Sequence, residues 1–360
     1  MMAKFTDIFE DVTKQGTKIP TNFYLESGMY PIIDQGQSQV AGYTNKTEGL
    51  FTDVPAIIFG DHTRIIKYVD TPCFLGADGV KLLKAKAPTA NYKYLYYALC
   101  NADIPNTGYN RHFKWLKEIE IPEYSMEEQN SIVAQLQKID TLSSLRKQQL
   151  LKLDELVKSR FVELFGECEE HKRLEEFAFL ITKGASPKWQ GVDYCEEGTL
   201  FITSENVREG YLDLSKRKYL DDKINEIQPR SMLKRNDILI NIVGASIGRA
   251  AVYDCDEVAN INQAVALVRV DYSQINQIYL MTFLNSSQAI EMYGKMKKGG
   301  ARDNLSLQNI ADLQIPVADM EHQNQFASFV ERTDKSKFEI QKSLEKLETL
   351  KKALMQKYFG

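Results

Sequence analysis

Two triplets, Glu170-His171-Lys172 and Asp221-Asp222-Lys223, match the tail of the Asp/Glu-x-Lys pattern with which metal-dependent nucleases cut phosphodiesters. Neither follows a clear buried strand carrying the upstream carboxylate that such a site needs to hold its ion. The histidines, His62, His112, His171 and His322, stand alone, so no metal-ligand spacing forms. ATP binding would need Gly-x-x-x-x-Gly-Lys-[Ser/Thr]; Gly244-Ala245-Ser246-Ile247-Gly248-Arg249 has the glycines but neither the lysine nor the length. An Asn/Asp-Pro-Pro-aromatic tetrapeptide for amino-methyl transfer is absent, because no Pro-Pro occurs. These residues describe a binding protein with no catalytic or metal-ligating residues of its own. The densest binding chemistry is in residues 295–302, where Lys295, Lys297, Lys298 and Arg302 surround Gly299 and Gly300. Such cations neutralise phosphates, and glycine lets the backbone approach a charged strand closely.

The elements that would position these loops come from a repeat. Residues 116–166 align without a gap on residues 310–360, at a constant offset of 194. Ile121-Pro122 matches Ile315-Pro316, Met126-Glu127 matches Met320-Glu321, Gln129-Asn130 matches Gln323-Asn324, and Asp140 matches Asp334. Both copies stop on Phe-Gly, at Phe165-Gly166 and Phe359-Gly360. A match with a shared entry and a shared stop is a duplicated unit, with a period too long for a solenoid.

Each copy opens on a strand-like run, residues 117–122 or 311–316, closed by proline. A helix follows. Ser125 and Glu128 form a capping box; Asp319 serves as the second N-cap, with His322 where the box wants Glu or Gln. Ile132, Leu136, Ile139, Leu142, Leu145, Leu150, Leu153, Leu156 and Leu164 recur at helical spacing in one copy. Phe326, Val330, Ile340, Leu344, Leu347, Leu350, Leu354 and Tyr358 do so in the other. One stripe per helix asks for one long partner, and the other copy is the obvious one. About 40 residues of helix span roughly 60 Å. A helical hairpin stabilising a single larger domain is the alternative.

With 360 residues and 43% hydrophobic content the chain can bury two cores. A net charge of −4 gives no global basic field, so any nucleic-acid contact rests on local patches. Cys73, Cys100, Cys168, Cys195 and Cys255 show no CxxC pairing, which suits reduced, mostly buried thiols in a cytoplasmic protein. The N-terminal residues lack an apolar leader and no stretch approaches a membrane span.

The regions before the two helices repeat at a second level. Thr13-Lys14-Gln15-Gly16 through Pro20 is answered by Thr182-Lys183-Gly184-Ala185-Ser186-Pro187, and Tyr30-Pro31-Ile32-Ile33 by Thr199-Leu200-Phe201-Ile202. The run 56–64, ending Gly60-Asp61-His62-Thr63-Arg64, corresponds to 238–249, and the helical pattern at 94–99 to that at 279–284. A basic loop then leads to each proline, residues 108–114 in one and 295–302 in the other. Two domains of one fold with diverged loops suggest a shared scaffold reading different targets.

At these residues, above all the paired Ile-Pro, Met-Glu-x-Gln-Asn and long-helix signature, the chain resembles the specificity subunit of type I restriction-modification systems over essentially its whole length. The resemblance implies an α/β (α+β) fold of two similar target-recognition domains, separated and joined by two long antiparallel coiled-coil helices. The expected boundaries are 1–122, 123–166, 167–316 and 317–360. It implies double-stranded DNA as the ligand and, as partners, modification subunits using S-adenosylmethionine and restriction subunits using ATP and Mg. No cofactor is expected in this chain. If the helices are antiparallel, equivalent domains are inverted and read two unlike half-sites with a gap set by the helices.

Within that reading, base contacts fall to Gln35, Gln37, Ser38, Gln39, His62, Thr63 and Arg64 in the first domain. In the second they fall to Ser204, Asn206, Ser246, Arg249, Asn262 and Gln263. Phosphate anchoring falls to Lys14, Lys18, Arg111 and Lys114, and to Lys183, Lys295, Lys297, Lys298 and Arg302. Lys138, Arg146, Lys147, Gln148, Lys337, Gln341 and Lys342 are candidate docking positions on the helices. A standalone methyltransferase or nuclease lacks its motifs, and a coiled-coil adaptor leaves the paired loop-rich domains unexplained.

Overall fold

The structure, a computed structural model, describes residues 1–76, 78–108, 110–296 and 303–360. The chain forms two compact units, residues 1–147 with 341–360, and residues 148–340.

In the first unit a four-stranded antiparallel sheet runs in the order Phe9–Asp11, Val80–Ala85, Ala56–Gly60, Ile66–Val69. Its central Ala56–Gly60 strand is buried throughout, as an unbroken apolar run must be when both faces are covered. Ile57, Phe59 and Leu83 face the helix Tyr92–Cys100 and the long helices, while Ile58 and Leu82 face a second layer with Ile33, Phe51 and Leu75. That layer includes the sheet Gly42–Thr44, Tyr30–Ile33, Phe74–Leu75, whose last two strands are parallel. Met2–Lys4 pairs with Glu120–Pro122.

The second unit repeats this plan. Ala178–Lys183, Val265–Val270, Ile238–Asn241 and Ala250–Val252 form the antiparallel sheet in the corresponding order. Thr199–Ile202 pairs in parallel with Ala259–Ile261, and His171–Arg173 pairs with Gln314–Pro316. The second-level repeat is therefore a shared fold. Its entry strands are shorter than the sequence suggested: of residues 117–122 and 311–316 only Glu120–Pro122 and Gln314–Pro316 are strand, each following a short helix, Phe113–Leu116 or Leu307–Ala311.

The long helices are Met126–Phe165 and Met320–Phe359. Ser125 and Glu128 make both bonds of the capping box, at 3.3 Å and 2.8 Å. Asp319 accepts the His322 backbone N–H at 2.9 Å, and the His322 ring pairs with its other oxygen. In the first unit the start of one helix lies beside the end of the other: Tyr124 meets Tyr358, and Lys351 pairs with Asp140 at 2.5 Å. In the second unit Phe161 meets Phe326 and Lys337 pairs with Asp154 at 2.7 Å. Both pairings are antiparallel.

The stripe is only partly buried. Ile132 and Leu136 in one unit, and Phe326 and Val330 in the other, are covered because they join the core of that unit's sheet domain, and Ile139 and Leu344 are buried as well. Leu142, Leu145, Leu156 and Leu350, expected in the stripe, are 37–50% exposed. A seam of two helices with no third layer covers its margins from one side only. The thiols also depart from expectation: all are free, but only Cys73 is buried, and burial pushes its thiol up to about 11.

Candidate nucleic-acid interface

In the first unit, loops far apart in sequence meet around Gln35 and Asp61. The Gln35 amide donates to the Asp78 carbonyl at 3.1 Å and accepts the His62 backbone N–H at 3.2 Å; the Thr63 hydroxyl donates to the Gln35 carbonyl at 2.7 Å. Buried Asp61 accepts the Phe113 N–H on its carboxylate at 2.7 Å and the His112 N–H on its carbonyl at 2.8 Å. The fully buried His112 ring lies between the Asp61 carbonyl and Thr107. Beneath the 34–39 loop, buried Lys67 donates to the Ser38 carbonyl and pairs with Asp34 at 3.5 Å. Burial pulls that ammonium below the usual lysine range, against the opposing pull of Asp34.

Several expected base readers are thus spent on the scaffold. Gln35 is half-buried with both ends of its amide occupied, and Gln39 donates to the Tyr68 carbonyl at 2.7 Å. Arg64, in a left-handed conformation at φ 63°, donates to the Ile104 carbonyl at 3.0 Å, and the His62 ring lies 3.2 Å from the Asn110 carbonyl. Gln37 and Ser38 reach solvent on these braced loops, whereas the hydroxyl of exposed Thr63 is committed to the Gln35 carbonyl. Lys14, Arg111 and Lys114 are exposed, Lys114 over the Trp115 ring, and Lys18 pairs with Asp78 at 3.3 Å.

In the second unit the organiser is Asn241, fully buried at the end of its strand, in the place that Gly60 takes in the first. Its amide nitrogen reaches the Ser204 and Val207 carbonyls at 3.0 Å and 3.2 Å and the Ser246 hydroxyl at 3.2 Å. The 203–207 and 241–249 loops are held together in this way. Asn262 N–H donates to the Ile202 carbonyl, and Gly244 N–H to the Asp303 carbonyl, which adds the 262–264 loop and the exit of the basic segment.

Asn206 corrects the expectation most clearly. It is 7% exposed; its carbonyl oxygen accepts from the Thr203 N–H and hydroxyl, and its amide donates to the Asp213 carbonyl at 2.9 Å. Committed on both sides, it shapes a turn and offers nothing to a base. Ser204, Ser246 and Asn262 are half-buried, with Asn262 accepting the Ala264 N–H, whereas Arg249 and Gln263 are exposed. Lys183 is exposed, and Lys295 is exposed and paired with Glu291 at 2.8 Å. Lys297, Lys298 and Arg302 lie outside the described residues.

The nuclease-like triplets have structural roles. His171 and Lys172 sit in the strand paired with Gln314–Pro316, while Asp221 accepts the Lys223 N–H and Asp222 accepts the Thr199 hydroxyl. Among the described residues no group of three or more His, Cys, Asp or Glu could hold a metal. Sequence reading missed Asp61, His112, Lys67 and Asn241 as loop organisers. Asn241, a lone amide inside the apolar run 238–243, carried the one usable signal.

The family model for the type I restriction modification DNA specificity domain matches residues 1–155 and 170–352. The EcoR124I/EcoR124II specificity subunit of Escherichia coli is 22% identical over 351 residues, covering 90% of this chain and 85% of that subunit. The EcoBI specificity subunit of the same organism is 27% identical over 171 residues, a match spanning 46% of this chain but only 36% of that subunit. A type I restriction-modification S subunit from M. genitalium superposes with a TM-score of 0.61 at 18% identity, covering 100% of this chain and 96% of the other. At that identity the likeness is one of fold.

Proposed function

The chain belongs to the type I restriction-modification DNA specificity family, and from that premise we propose that it is the non-catalytic subunit that reads a bipartite DNA site, one half-site per unit. The observation that carries this is the pairing of one scaffold with two different loop sets. The four-stranded antiparallel sheets share strand order, and their central pairs share register, yet the exposed polar groups differ: Gln37 and Ser38 on one unit, Arg249 and Gln263 on the other. Arg bidentate to guanine and Gln to adenine are the base contacts those groups can make in a major groove. Lys14, Arg111, Lys114, Lys183 and Lys295 supply phosphate contacts that set register, together with Lys297, Lys298 and Arg302.

Chemistry is left to partners. Modification subunits carrying S-adenosylmethionine dock on the long helices and methylate adenine, which has to be flipped out of the duplex to be reached. Restriction subunits bring ATP and Mg. The exposed Leu142, Leu145, Leu151, Leu156, Phe338 and Leu350 on those helices support docking there, because apolar side chains of this kind are what a stable partner covers. Lys337, paired with Asp154 and Asp334, leaves the set of docking cations. No helix among the described residues is long and apolar enough to cross a membrane, and we place the complex in the cytoplasm with its DNA.

The test is a map of methylated adenines in cells expressing the chain with its modification subunit, against cells lacking the chain. A motif with two unlike halves and a fixed gap is expected. An unchanged map, with the modification subunit shown to be active, would overturn the reading.

A further inference from the structure

The feature that neither fold nor loop bracing uses is Trp189, 85% exposed on the one-turn helix Pro187–Gln190. A single exposed apolar side chain is ordinary, but this one is held out by construction. Pro187 and Val192 are buried on either side of it, Val192 against Phe201, Leu220 and Ile224. The turn is closed by Trp189 N–H to the Ser186 carbonyl at 3.1 Å and Val192 N–H to the Pro187 carbonyl at 3.1 Å, with Gly191 left-handed at φ 65°. Upstream, Gly184 lies directly on the next strand: a Cβ there would come within 1.7 Å of the Ile261 carbonyl oxygen and 2.8 Å of that of Asn262. The approach to the turn is therefore fixed to the Asn262-Gln263 loop, and Lys183 and Lys188, both exposed, flank the ring in sequence.

The first unit builds the same device from different residues. Gly16 packs on Leu75, and Leu75 exchanges backbone hydrogen bonds with Thr17 and Ile19. Leu75 pairs with Ile33, the last residue of its strand, as Ile261 pairs with Ile202. Ile19 is the buried anchor, Pro20 leads a one-turn helix closed by Phe23 N–H to the Pro20 carbonyl at 3.0 Å, and Phe23 is 62% exposed. Lys14 and Lys18 precede it in sequence, both exposed, with Lys18 paired to Asp78. An exposed aromatic with exposed cations close to it in sequence, at equivalent places in two units whose loops otherwise differ, suits a polyanion whose groove also offers apolar sugar and base edges.

We infer that Trp189, with Phe23 as its counterpart, is an apolar DNA contact of the recognition surface, adding affinity beside the polar base readers. This rests on the DNA-reading function proposed above. An aromatic ring on base or sugar neutralises no phosphate and releases no counterion, so its loss should weaken binding without changing the salt dependence. Loss of a phosphate-bound lysine should flatten that dependence by about one ion.

The experiment uses the chain purified with its modification subunits and a labelled duplex carrying the motif from the methylation map, titrated from about 50 to about 200 mM salt. Trp189→Ala is expected to bind about tenfold more weakly, with the wild-type salt slope and melting temperature, and Trp189→Phe to recover most of the affinity. Phe23→Ala should behave likewise, whereas Lys183→Ala should flatten the slope. Wild-type affinity in Trp189→Ala, or a loss accompanied by a lower melting temperature or a flatter slope, would overturn the inference and leave the proposed function standing. A wild-type complex that fails to prefer the motif duplex over a scrambled one would overturn both.

Discussion

The rings of Phe165 and Tyr279 meet edge-on with centroids 4.7 Å apart, and the Tyr279 hydroxyl donates to the Pro316 carbonyl at 2.8 Å. The other unit builds the same lock from Phe359 on Tyr94 at 5.3 Å, with Tyr94 donating to Pro122 at 2.6 Å. The Phe-Gly stop of one repeat copy thus meets the Ile-Pro entry of the other. Next to it Asn276 donates to Asn324 at 2.9 Å and Asn91 to Asn130 at 2.9 Å, while Gln323 and Gln129 donate to the Ala318 and Tyr124 carbonyls at 2.7 Å and 3.0 Å, which accounts for the Gln-Asn of both copies. Phe165→Ala should cost about 3 kcal/mol of stability through the cavity it leaves, and Tyr279→Phe about 1 kcal/mol through one lost hydrogen bond. Denaturant unfolding of the full chain checks both, and equal effects of the two substitutions would contradict the lock.

Asn206 and Gln263 should separate fold from recognition. Asn206→Ala strands the Thr203 and Asp213 partners and is expected to lower stability by about 1–3 kcal/mol. Gln263→Ala should leave melting unchanged and alter the methylation motif at one position of one half-site. A motif change from Asn206→Ala at unchanged stability would reverse these roles.

If the long helices act as the ruler between half-sites, lengthening them should widen the spacer. Seven residues inserted at equivalent points of both long helices add two turns, or about 10 Å, which is roughly three base pairs. Adenine mapping should return the same half-sites with the gap widened by that amount; an unchanged gap would remove the helices as the ruler.

His322 should confer a pH dependence on the second long helix. The hydrogen bond that the imidazole donates to Asp319, then the charge of that carboxylate, raise the imidazole pKa above the ordinary histidine value. Because the folded value lies above the unfolded one, the pair's contribution is fully present below about pH 6.5 and is lost as pH rises through the folded pKa. NMR titration of the His322 ring should move to lower pH in Asp319→Asn, and His322→Gln should keep the cap without the dependence. An unmoved titration would show that Asp319 is not its partner.

The sequence by itself determined what depends on residues near one another in the chain. The helix starts at Ser125 and Asp319, the apolar run at Ala56–Phe59, the duplicated Ile-Pro and Phe-Gly ends and the missing catalytic motifs are all local patterns, and each was legible. Tertiary structure decided what depends on partners far away. Leu142 and Leu145 have the periodicity of Ile132 and Leu136 but no domain over them. Asn206 and Gln263 read alike as loop amides, yet one is closed by Thr203 and Asp213 and the other faces solvent. Nor could local pattern tell that Pro187 and Val192 would anchor a turn with Trp189 outside it. Whether a side chain is spent on the fold or left for a ligand is settled by burial and hydrogen-bond partners, and those are supplied by distant parts of the chain.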